Sequence, residues 1–308
     1  MRALVTGGAG FIGSHLATTL VERGDEVVVL DSLATGLRDN VPAGARFVEG
    51  SVADPDTVAG AVEGCEVVFH LGALGAVARS VADPLTSDTA NVRGTLAVLH
   101  GAREAGVRRL VFASSSSVYG GAEQIPTPET APLRPRSPYA VTKLTGEHYC
   151  RVFAELFDLE TVALRYFNVF GPRQRPDSVY AAVIPLFARA LLDGSRPLVH
   201  GDGTQSRDFT YVADVVAANL AAASAPTAAC NAGVFNIAGG NRHSLLDLLR
   251  ELGTLIGVEP DPEFGPPRPG DVAHSCADPS AAANALGFRC EIPFAEGLRR
   301  TLDWMRST

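Results

Sequence analysis

The chain has 308 residues, of which 46% are hydrophobic and 19% charged, and its formal net charge is −8. This length suits one large domain or two unequal domains with a sizeable buried core. The negative charge argues against a nucleic-acid backbone as the main partner. No apolar run reaches the roughly 18 residues that a membrane span requires, so we expect neither a nucleic-acid partner nor a membrane partner.

The amino-terminal sequence MRALVTGG enters a strand pattern directly and lacks the apolar stretch and cleavage site of a signal peptide. The cysteines are odd in number and widely scattered, without the spacing of metal ligands, at positions 65, 150, 230, 276 and 290. We therefore expect reduced thiols, a cytoplasmic location and no metal site.

Short apolar runs alternate with helix-length segments in the first half of the chain. The runs are ALVT (3–6), EVVVL (26–30), RFVEG (46–50), EVVFHL (66–71), RLVFAS (109–114) and TVALRYF (161–167). Several are almost continuous in Val, Leu and Phe, as is typical of parallel strands covered on both faces. The predicted helices between them are Phe11–Arg23, Thr86–Ala105 and Pro138–Leu156. This alternation predicts an α/β fold with a Rossmann-type doubly wound parallel sheet.

The composition changes after about residue 168. Pro and Gly cluster in GPRQRP (171–176) and FGPPRPGD (264–271), and further helices are predicted at Ala181–Leu192 and Leu245–Ile256. We predict a first domain over residues 1–167 and a smaller α/β domain mainly over residues 168–308. The chain is expected to return to the first domain around residues 208–238.

The segment GGAGFIG places Gly7, Gly10 and Gly13 between the first strand and the first helix. Glycines there allow a tight turn and a close approach of the backbone to a pyrophosphate at the helix N-terminus. Asp31 ends the second strand, 18 residues after Gly13. A carboxylate at that point accepts a hydrogen bond from an adenosine ribose 2′-hydroxyl and repels a 2′-phosphate. The combination predicts a dinucleotide site that prefers NAD to NADP.

The segment SPYAVTK places Tyr139 and Lys143 four residues apart, on one face of a helix. Such a pair also occurs by chance on ordinary amphipathic helices. Beside an oxidised nicotinamide, however, a lysine lowers the pKa of a tyrosine from about 10, and the phenolate is then a general base for a hydroxyl. The serine run Ser114–Ser117 follows a strand at the edge where open α/β sheets bind ligands, so one of its hydroxyls can bridge Tyr139 and a substrate hydroxyl.

GGAGFIG, YAVTK and ASSSSVYG together resemble the extended short-chain dehydrogenase/reductase superfamily. RYFNVFGPRQ (165–174), GDGTQSRDFTYVADV (201–215) and RPGDV (268–272) are similar to nucleotide-sugar 4-epimerases of the UDP-galactose/UDP-N-acetylglucosamine type. The similarity runs from Gly7 to about Gly287. It implies an isomerase that keeps NAD as its cofactor and acts on a UDP-sugar.

The resemblance also implies the roles of particular residues. Ser115, Tyr139 and Lys143 are the implied catalytic residues, with Ser116 or Ser117 as alternative positions for the assisting hydroxyl. The implied cofactor site consists of Gly7, Gly10, Phe11, Ile12, Gly13, Asp31, Ser51, Val52, Leu71, Gly72, Ala73, Asn91, Ser114, Tyr139, Lys143 and Tyr166. The implied substrate-binding residues are Ser116, Asn168, Arg175, Arg207, Arg268, Asp271 and Ser275.

Two of these residues, Arg207 and Arg268, would clamp a diphosphate, because guanidinium groups pair with phosphate oxygens in a forked geometry. In the implied reaction Tyr139 takes the proton of the sugar 4-hydroxyl while the C4 hydride passes to NAD. The 4-keto sugar then turns, and the hydride returns to its opposite face. The family also implies a homodimer, formed by the helices Thr86–Ala105 and Pro138–Leu156 of each subunit.

Related 4,6-dehydratases and nucleotide-glucuronate decarboxylases carry acidic residues near the serine stretch, as in T-D-E-V-Y-G. The run Ser115–Ser117 contains no carboxylate, which disfavours dehydration. A nucleotide-sugar 4-ketoreductase would need exchangeable NAD(P)H, which Asp31 disfavours. A non-catalytic NAD-binding protein would be expected to lack the Tyr139–Lys143 pair.

The identity of the sugar stays open at this point. Family members confined to glucose and galactose tend to have a tyrosine at the position of Ser275, so a serine there is consistent with an N-acetyl group without excluding UDP-glucose. Arg175 resembles the arginine that pairs with the sugar carboxylate in nucleotide-glucuronate 4-epimerases, but those enzymes tend to have threonine where Asn168 stands. UDP and dTDP are not distinguished by the sequence.

Overall fold

A computed structural model describes residues 1–175, 182–267 and 272–307 of the chain. The strands are β1 Arg2–Thr6, β2 Glu26–Asp31, β3 Arg46–Glu49, β4 Val67–His70, β5 Arg109–Ser115, β6 Glu160–Tyr166, β7 Val169–Phe170, β8 Leu198–His200, β9 Ser206–Arg207, β10 Thr210–Tyr211, β11 Gly233–Ile237, β12 His243–Ser244 and β13 Glu263–Gly265. The α-helices are α1 Phe11–Glu22, α2 Pro55–Val62, α3 Val77–Ala82, α4 Pro84–Asp88, α5 Gly94–Glu104, α6 Pro138–Leu156, α7 Val183–Leu192, α8 Val212–Ser224, α9 Thr227–Cys230, α10 Leu245–Ile256, α11 Ser280–Leu286 and α12 Phe294–Ser307.

The largest sheet of the described residues has seven strands in the order β11-β6-β5-β4-β1-β2-β3, and every neighbouring pair is parallel. The chain winds outward from β1 in both directions, so the strand order reverses between β1 and β4. Ligands of open α/β sheets bind at the carboxyl ends of the strands beside such a reversal. The predicted Rossmann-type α/β fold is confirmed.

Helices cover both faces of this sheet. One face packs against α1, α8 and α11, and the other packs against α2, α5 and α6. Strand residues therefore contribute to both cores: Phe69 lies in the first and Leu110 in the second, each fully buried. Burial on both faces explains why these strands are nearly continuous apolar runs in the sequence.

The six predicted strand runs correspond to β1–β6, and the predicted helix Pro138–Leu156 corresponds to α6. The predicted helix Thr86–Ala105 differs in detail. Helical structure begins at Pro84, where the Asp83 carboxylate accepts from the Thr86 amide at 3.0 Å, and a π-helical turn at Thr89–Arg93 separates α4 from α5. Hydrophobic periodicity does not reveal this turn because only one extra residue is inserted.

The smaller lobe consists of short two-stranded sheets and the helices α7, α10 and α12. β10 pairs with β7, β12 pairs with β9, and β13 pairs with β8. Its core contains Phe170, Phe187, Leu248 and Leu302, and side chains from the first turn of α1 pack against it. Two elements that follow residue 168 in the chain lie with the large sheet and not in the smaller lobe. Helix α8 packs against α1, and β11 extends the large sheet beside β6. The domain boundary near residue 167 stays a prediction.

Candidate active site

The glycine loop after β1 fits closely against the loop that follows β4. Gly7 has a φ of +70°, and a Cβ atom on it would lie 2.7 Å from the Gly72 amide nitrogen. A Cβ atom on Gly13 would lie 2.2 Å from the Gly7 carbonyl oxygen, so no larger residue fits there. Gly10 is the N-cap of α1 and provides no side-chain cap. Because glycine has no side chain, residue 10 does not cap the amides of the first helical turn, which suits a pyrophosphate.

Asp31 lies at the end of β2 with its carboxylate beside this loop. The side chain is buried, and it accepts hydrogen bonds from the amides of Ala9 at 3.0 Å and Leu33 at 2.8 Å. Each carboxylate oxygen can accept a second hydrogen bond. The carboxylate is therefore held in a fixed orientation with capacity left for a ribose hydroxyl, and the residues present fit a dinucleotide.

The loop after β4 forms the second wall of this site. The Gly72 amide donates to the Thr6 hydroxyl at 3.0 Å, and the Leu74 amide donates to the Asn91 side-chain oxygen at 2.7 Å. A Cβ atom on Gly72 would lie 3.0 Å from a methyl group of Val52, which packs beneath the loop. The predicted cofactor residues Leu71, Gly72, Ala73, Val52 and Asn91 thus lie together.

Asn91 also connects this wall to the helix that carries the tyrosine and the lysine. It lies in the π-helical turn, and its amide nitrogen donates to the Thr142 hydroxyl at 3.0 Å. That hydroxyl donates to the Tyr139 carbonyl at 2.8 Å. The π turn therefore has a structural consequence, because it places one side chain between two parts of the site.

The amino terminus of α6 fixes the predicted base, Tyr139. Ser137 caps the helix by accepting from the Ala140 amide at 3.2 Å, and the Tyr139 amide donates to the Ser80 hydroxyl at 3.0 Å. Tyr139 is partly exposed, and Ser115 is the neighbouring side chain that affects its hydroxyl. Desolvation by the surrounding protein raises the pKa of Tyr139, and the Ser115 hydroxyl opposes that effect.

Lys143 lies one turn further along α6 and is buried. Its ammonium group donates to the Ala113 carbonyl at 2.7 Å and lies 5.1 Å from the centre of the Phe112 ring. Burial lowers the pKa of Lys143 to about 8, and the negative charge of Glu147 is among the effects that oppose this change. The three predicted catalytic residues, Ser115, Tyr139 and Lys143, are thus brought together at the end of β5.

Two of the predicted substrate residues, Asn168 and Arg207, lie at a cavity in the smaller lobe. Asn168 and Arg207 line a cavity of about 250 Å³, whose walls include Phe170, Phe187 and Phe209. The Arg207 guanidinium donates to the Ser206 and Ala273 carbonyls at 2.9 and 3.3 Å. A guanidinium beside an aromatic-walled cavity suits a nucleoside diphosphate.

The other predicted substrate residues do not line this cavity or lie outside the described residues. The Ser275 amide donates to the Ser206 carbonyl at 3.0 Å, which holds the Ser275 segment beside β9. Arg175 is exposed, and Ser116 lies partly buried in the serine turn. Arg268 and Asp271 lie outside the described residues.

Three predicted cofactor residues have their hydroxyls engaged within the protein. The buried Tyr166 hydroxyl donates to Asn219 at 3.0 Å, and Ser114 donates to Glu147. The exposed Ser51 accepts from the Ala53 amide at 3.1 Å. Their roles toward a cofactor therefore stay predictions. Over residues 1–175, 182–267 and 272–307, no group of three or more His, Cys, Asp or Glu side chains could hold a metal ion.

Sequence reasoning missed Glu147 and Arg165, which form a buried ion pair beneath the site. Glu147 follows Lys143 by four residues, so the spacing Tyr139–Lys143–Glu147 places all three on one face of α6. That spacing could have indicated from the sequence that Glu147 lies near the site. The partner of Glu147 on β6 could not be identified from it.

Comparisons with known proteins agree with this geometry. The sequence model of the NAD dependent epimerase/dehydratase family matches residues 3–238. A UDP-glucose 4-epimerase of Mycolicibacterium smegmatis is 39% identical over 314 residues, covering 100% of this chain and 99% of that protein. The structure of a UDP-glucose 4-epimerase of Thermotoga maritima with UDP-glucose has a TM-score of 0.96 and 37% identity, over 100% of this chain and 99% of that one.

The structure of a UDP-N-acetylglucosamine 4-epimerase of Methanobrevibacter ruminantium, in complex with UDP-N-acetylmuramic acid, has a TM-score of 0.95 and 37% identity. The alignment covers 99% of this chain and 98% of that one. The chain belongs to the NAD-dependent epimerase/dehydratase family. It is an isomerase of the epimerase kind, and its cofactor is NAD. Across the described residues, no helix is both long and apolar enough to cross a membrane.

Proposed function

We propose that this protein is a UDP-hexose 4-epimerase that accepts UDP-N-acetylglucosamine and UDP-N-acetylgalactosamine and also turns over UDP-glucose and UDP-galactose. The observation that carries the proposal is the placement of Tyr139 and Lys143 on one face of α6, where the buried ammonium group lies 5.9 Å from the centre of the tyrosine ring. The names of the relatives support the reaction and the class of substrate.

NAD, when bound, takes up the hydride of the sugar C4 and returns it. The protein manages the proton. Tyr139 accepts the proton of the 4-hydroxyl as a phenolate and donates it back after the sugar has turned, while Ser115 holds the phenol oxygen in place. The cationic Lys143 favours the phenolate by its charge. The partly exposed ring of Tyr139 and the buried ammonium of Lys143 suit this division of roles.

The alternative of dehydration requires a carboxyl group that can take the C5 proton. The serine turn supplies hydroxyls only, at Ser115, Ser116 and Ser117. The nearby carboxylate of Glu147 is occupied, because it accepts from Ser114 and is paired with Arg165 at 2.7 Å. A carboxylate held in this way is a poor base, and epimerisation is favoured.

The nucleotide half of the substrate is assigned to the cavity beside Arg207. Gln174 lines this cavity with its amide oriented by a donor bond to the Val169 carbonyl at 3.0 Å. Among the described residues, no group donates to its buried side-chain oxygen. That oxygen can accept from the imide N–H of a pyrimidine base, a group that uracil and thymine share. The relatives named for UDP-sugars favour uracil.

The sugar half is assigned to the space between Tyr139 and Ser275. The small side chain of Ser275 supports an N-acetyl substituent, since a larger residue there would reduce the space. The segment that follows is held firmly, because the Ala277 amide donates to the buried Asp208 carboxylate at 3.1 Å. We assign the choice of sugar to this segment.

A homodimer is part of the proposal. The helices α3, α4 and α5 pack beside α6, and their outer surface carries exposed apolar side chains. These are Val77, Val81, Leu85, Leu96, Val141, Val152 and Leu156. Exposed apolar side chains on neighbouring helices are typical of a subunit interface. Analytical ultracentrifugation should show a dimer that Leu85→Glu weakens, whereas Val258→Glu, at an exposed site on another helix end, should not.

The substrate is tested with the purified protein and no added cofactor. The protein is incubated separately with UDP-N-acetylglucosamine, UDP-glucose and UDP-glucuronate, and the anomeric proton signals of the products are followed by NMR. Conversion of the N-acetyl sugar is the expected result. Conversion of UDP-glucuronate alone would contradict the assigned sugar. It would instead favour a role for Arg175 in pairing with the sugar carboxylate. Conversion of none, with NAD then supplied, would contradict the proposed reaction on these hexoses.

A further inference from the structure

Glu147 and Arg165 form an ion pair that is almost completely buried, with 5% and 4% of their side chains exposed. The pair is bidentate: one guanidinium nitrogen lies 2.7 Å and another 2.9 Å from the two carboxylate oxygens. A buried ion pair gives little net stability, because both charges lose their hydration. Its presence beneath the site therefore calls for a role other than stability alone.

The pair makes further hydrogen bonds to both ends of the turn that carries Ser115. At the start of the turn, the Ser114 hydroxyl donates to the Glu147 carboxylate. At its end, Arg165 donates to the Tyr119 hydroxyl at 2.8 Å. Ser115 lies between these two attachments, and its hydroxyl accepts from the Ser117 amide at 3.2 Å and is the side-chain group that lowers the pKa of Tyr139.

The backbone places the ion pair where it can act on this turn. Ser114 and Arg165 are directly paired in the parallel register of β5 and β6. Glu147 lies one helical turn beyond Lys143 on α6. The carboxylate therefore connects the helix that carries the base to the strand that carries the assisting serine.

Further hydrogen bonds connect Tyr119, at the end of the turn, to the segment that contains Ser275. The Tyr119 hydroxyl donates to Asn236 at 2.7 Å, and the Asn236 amide nitrogen donates to the Thr127 carbonyl at 2.9 Å. The Thr127 amide donates to the Cys276 carbonyl at 2.8 Å. A single chain of hydrogen bonds thus runs from the ion pair, through the end of the serine turn, to the segment that we assign to sugar selection.

We propose that Glu147 and Arg165 are positioning residues for epimerisation, which fix both ends of the Ser114–Tyr119 turn and thereby hold the Ser115 hydroxyl against Tyr139. This inference rests on the roles proposed for Ser115 and Tyr139. It assigns the ion pair no contact with the substrate. Its effect should appear in kcat, because a displaced hydroxyl affects the reacting geometry and not the binding of the nucleotide.

The test removes each attachment separately. Ser114→Ala removes the bond at the start of the turn, and Tyr119→Phe removes the bonds at its end. Each is expected to lower kcat by about 10-fold with KM unchanged, as for the loss of one well-placed hydrogen bond. For Tyr119→Phe, bound NAD is also expected to be unchanged. The control is Thr161→Val, which deletes a buried hydroxyl on β6 that donates to the Cys150 carbonyl at 2.8 Å, away from the turn.

A double-mutant cycle separates positioning from simple stability. Ser114→Ala and Tyr119→Phe are each repeated in a Ser115→Ala background. If the attachments act through Ser115, each should then lower kcat by less than about 2-fold. Equal losses in both backgrounds would overturn the proposed positioning role while leaving the epimerase proposal intact. A Ser115→Ala variant with full activity would contradict the proposed role of Ser115 and this inference with it.

The ion pair itself is tested with a charge-balanced variant. Glu147→Gln alone leaves the Arg165 charge buried without a counterion, which is expected to impair folding. The double variant Glu147→Gln/Arg165→Met removes both charges. Among folded molecules, as judged by thermal unfolding and bound NAD, its kcat should be reduced at least 10-fold. Wild-type kcat in this folded variant would overturn the proposal.

Discussion

The ammonium nitrogen of Lys143 lies 5.9 Å from the centre of the Tyr139 ring, and its hydrogen bond to the Ala113 carbonyl, 2.7 Å long, holds it there. The lysine is thus anchored to the sheet, and the proposed function assigns it the role of favouring the phenolate of Tyr139 by its charge. Ser115 is the side-chain group that lowers the pKa of the phenol. One turn of α6 and the end of β5 together place the proposed proton acceptor, Tyr139, beside Lys143 and Ser115.

Replacement of the proposed base should abolish turnover without loss of the cofactor. Tyr139→Phe is expected to lower kcat by at least about 100-fold, the usual contribution of a positioned general base. Bound NAD, released by denaturation and quantified, should be unchanged. Tyr149→Phe is the control, because Tyr149 is a partly buried tyrosine on the same helix that packs against the core. Retained activity in Tyr139→Phe would contradict the proposed base.

Activity should fall at alkaline pH as Lys143 loses its charge. Burial lowers the pKa of Lys143 to about 8, so the ammonium form is present below that pH and is lost as the pH rises through it. Lys143→Arg keeps a positive charge, and its alkaline loss should lie at higher pH even if kcat is reduced. The check is kcat/KM measured from pH 6 to pH 10. An unchanged alkaline limb in Lys143→Arg would assign that limb to another group.

His70 is not expected to contribute to this pH profile. It is buried between the hydroxyls of Thr6 and Thr95, and burial lowers its pKa to about 3. The side chain is therefore neutral throughout the assay range.

Loss of the Asp31 carboxylate should lower the affinity of the protein for NAD. Asp31→Asn is expected to raise the Kd of NAD by about 10-fold or more, since a hydrogen bond to a charged acceptor is lost. Isothermal titration of the stripped protein measures this. Asp39→Asn, an exposed carboxylate nearby in the chain, serves as the matched control. Wild-type protein that bound NADP as tightly as NAD would count against the assignment of Asp31.

Close packing of α6 on the sheet should depend on Gly146. A Cβ atom there would lie 2.4 Å from the Phe112 ring, the same ring that lies beneath Lys143. Gly146→Ala is expected to destabilise the protein by about 1–3 kcal/mol through overpacking. Gly60→Ala, in α2 with no atom within 4 Å of the added carbon, should instead stabilise it by about 0.4–1 kcal/mol. Urea unfolding of both variants provides the comparison, and equal stabilities would refute the packing argument.

The choice of sugar should change with the size of residue 275. Ser275→Tyr is expected to lower kcat/KM for UDP-N-acetylglucosamine by roughly 10–100-fold, and to leave UDP-glucose within a few-fold of wild type. Ser195→Tyr adds the same ring at an exposed site and should change neither. Equal losses for both sugars would mean that Ser275 does not distinguish them.

Local patterns in the sequence determined much of the fold and part of the candidate site. Apolar runs predicted β1–β6, and the periodic segment Pro138–Leu156 predicted α6. The glycine spacing and Asp31 predicted NAD, which family membership supports. These features depend on residues within about 20 positions of one another, where spacing along a helix or strand fixes which side chains meet.

Other features depend on contacts between segments that are distant in the chain, and these contacts are visible only in the folded protein. Ser80 meets the Tyr139 amide across 59 residues, and Asn91 meets Thr142 across 51. Arg165 reaches Glu147 because β6 lies beside β5 under α6, and no local spacing encodes that arrangement. Local sequence signals were thus enough to predict the fold class, the cofactor and the shared helix face of Tyr139 and Lys143. The sheet topology decided which buried groups hold that pair in place, because strand order brings together residues that are far apart in the chain.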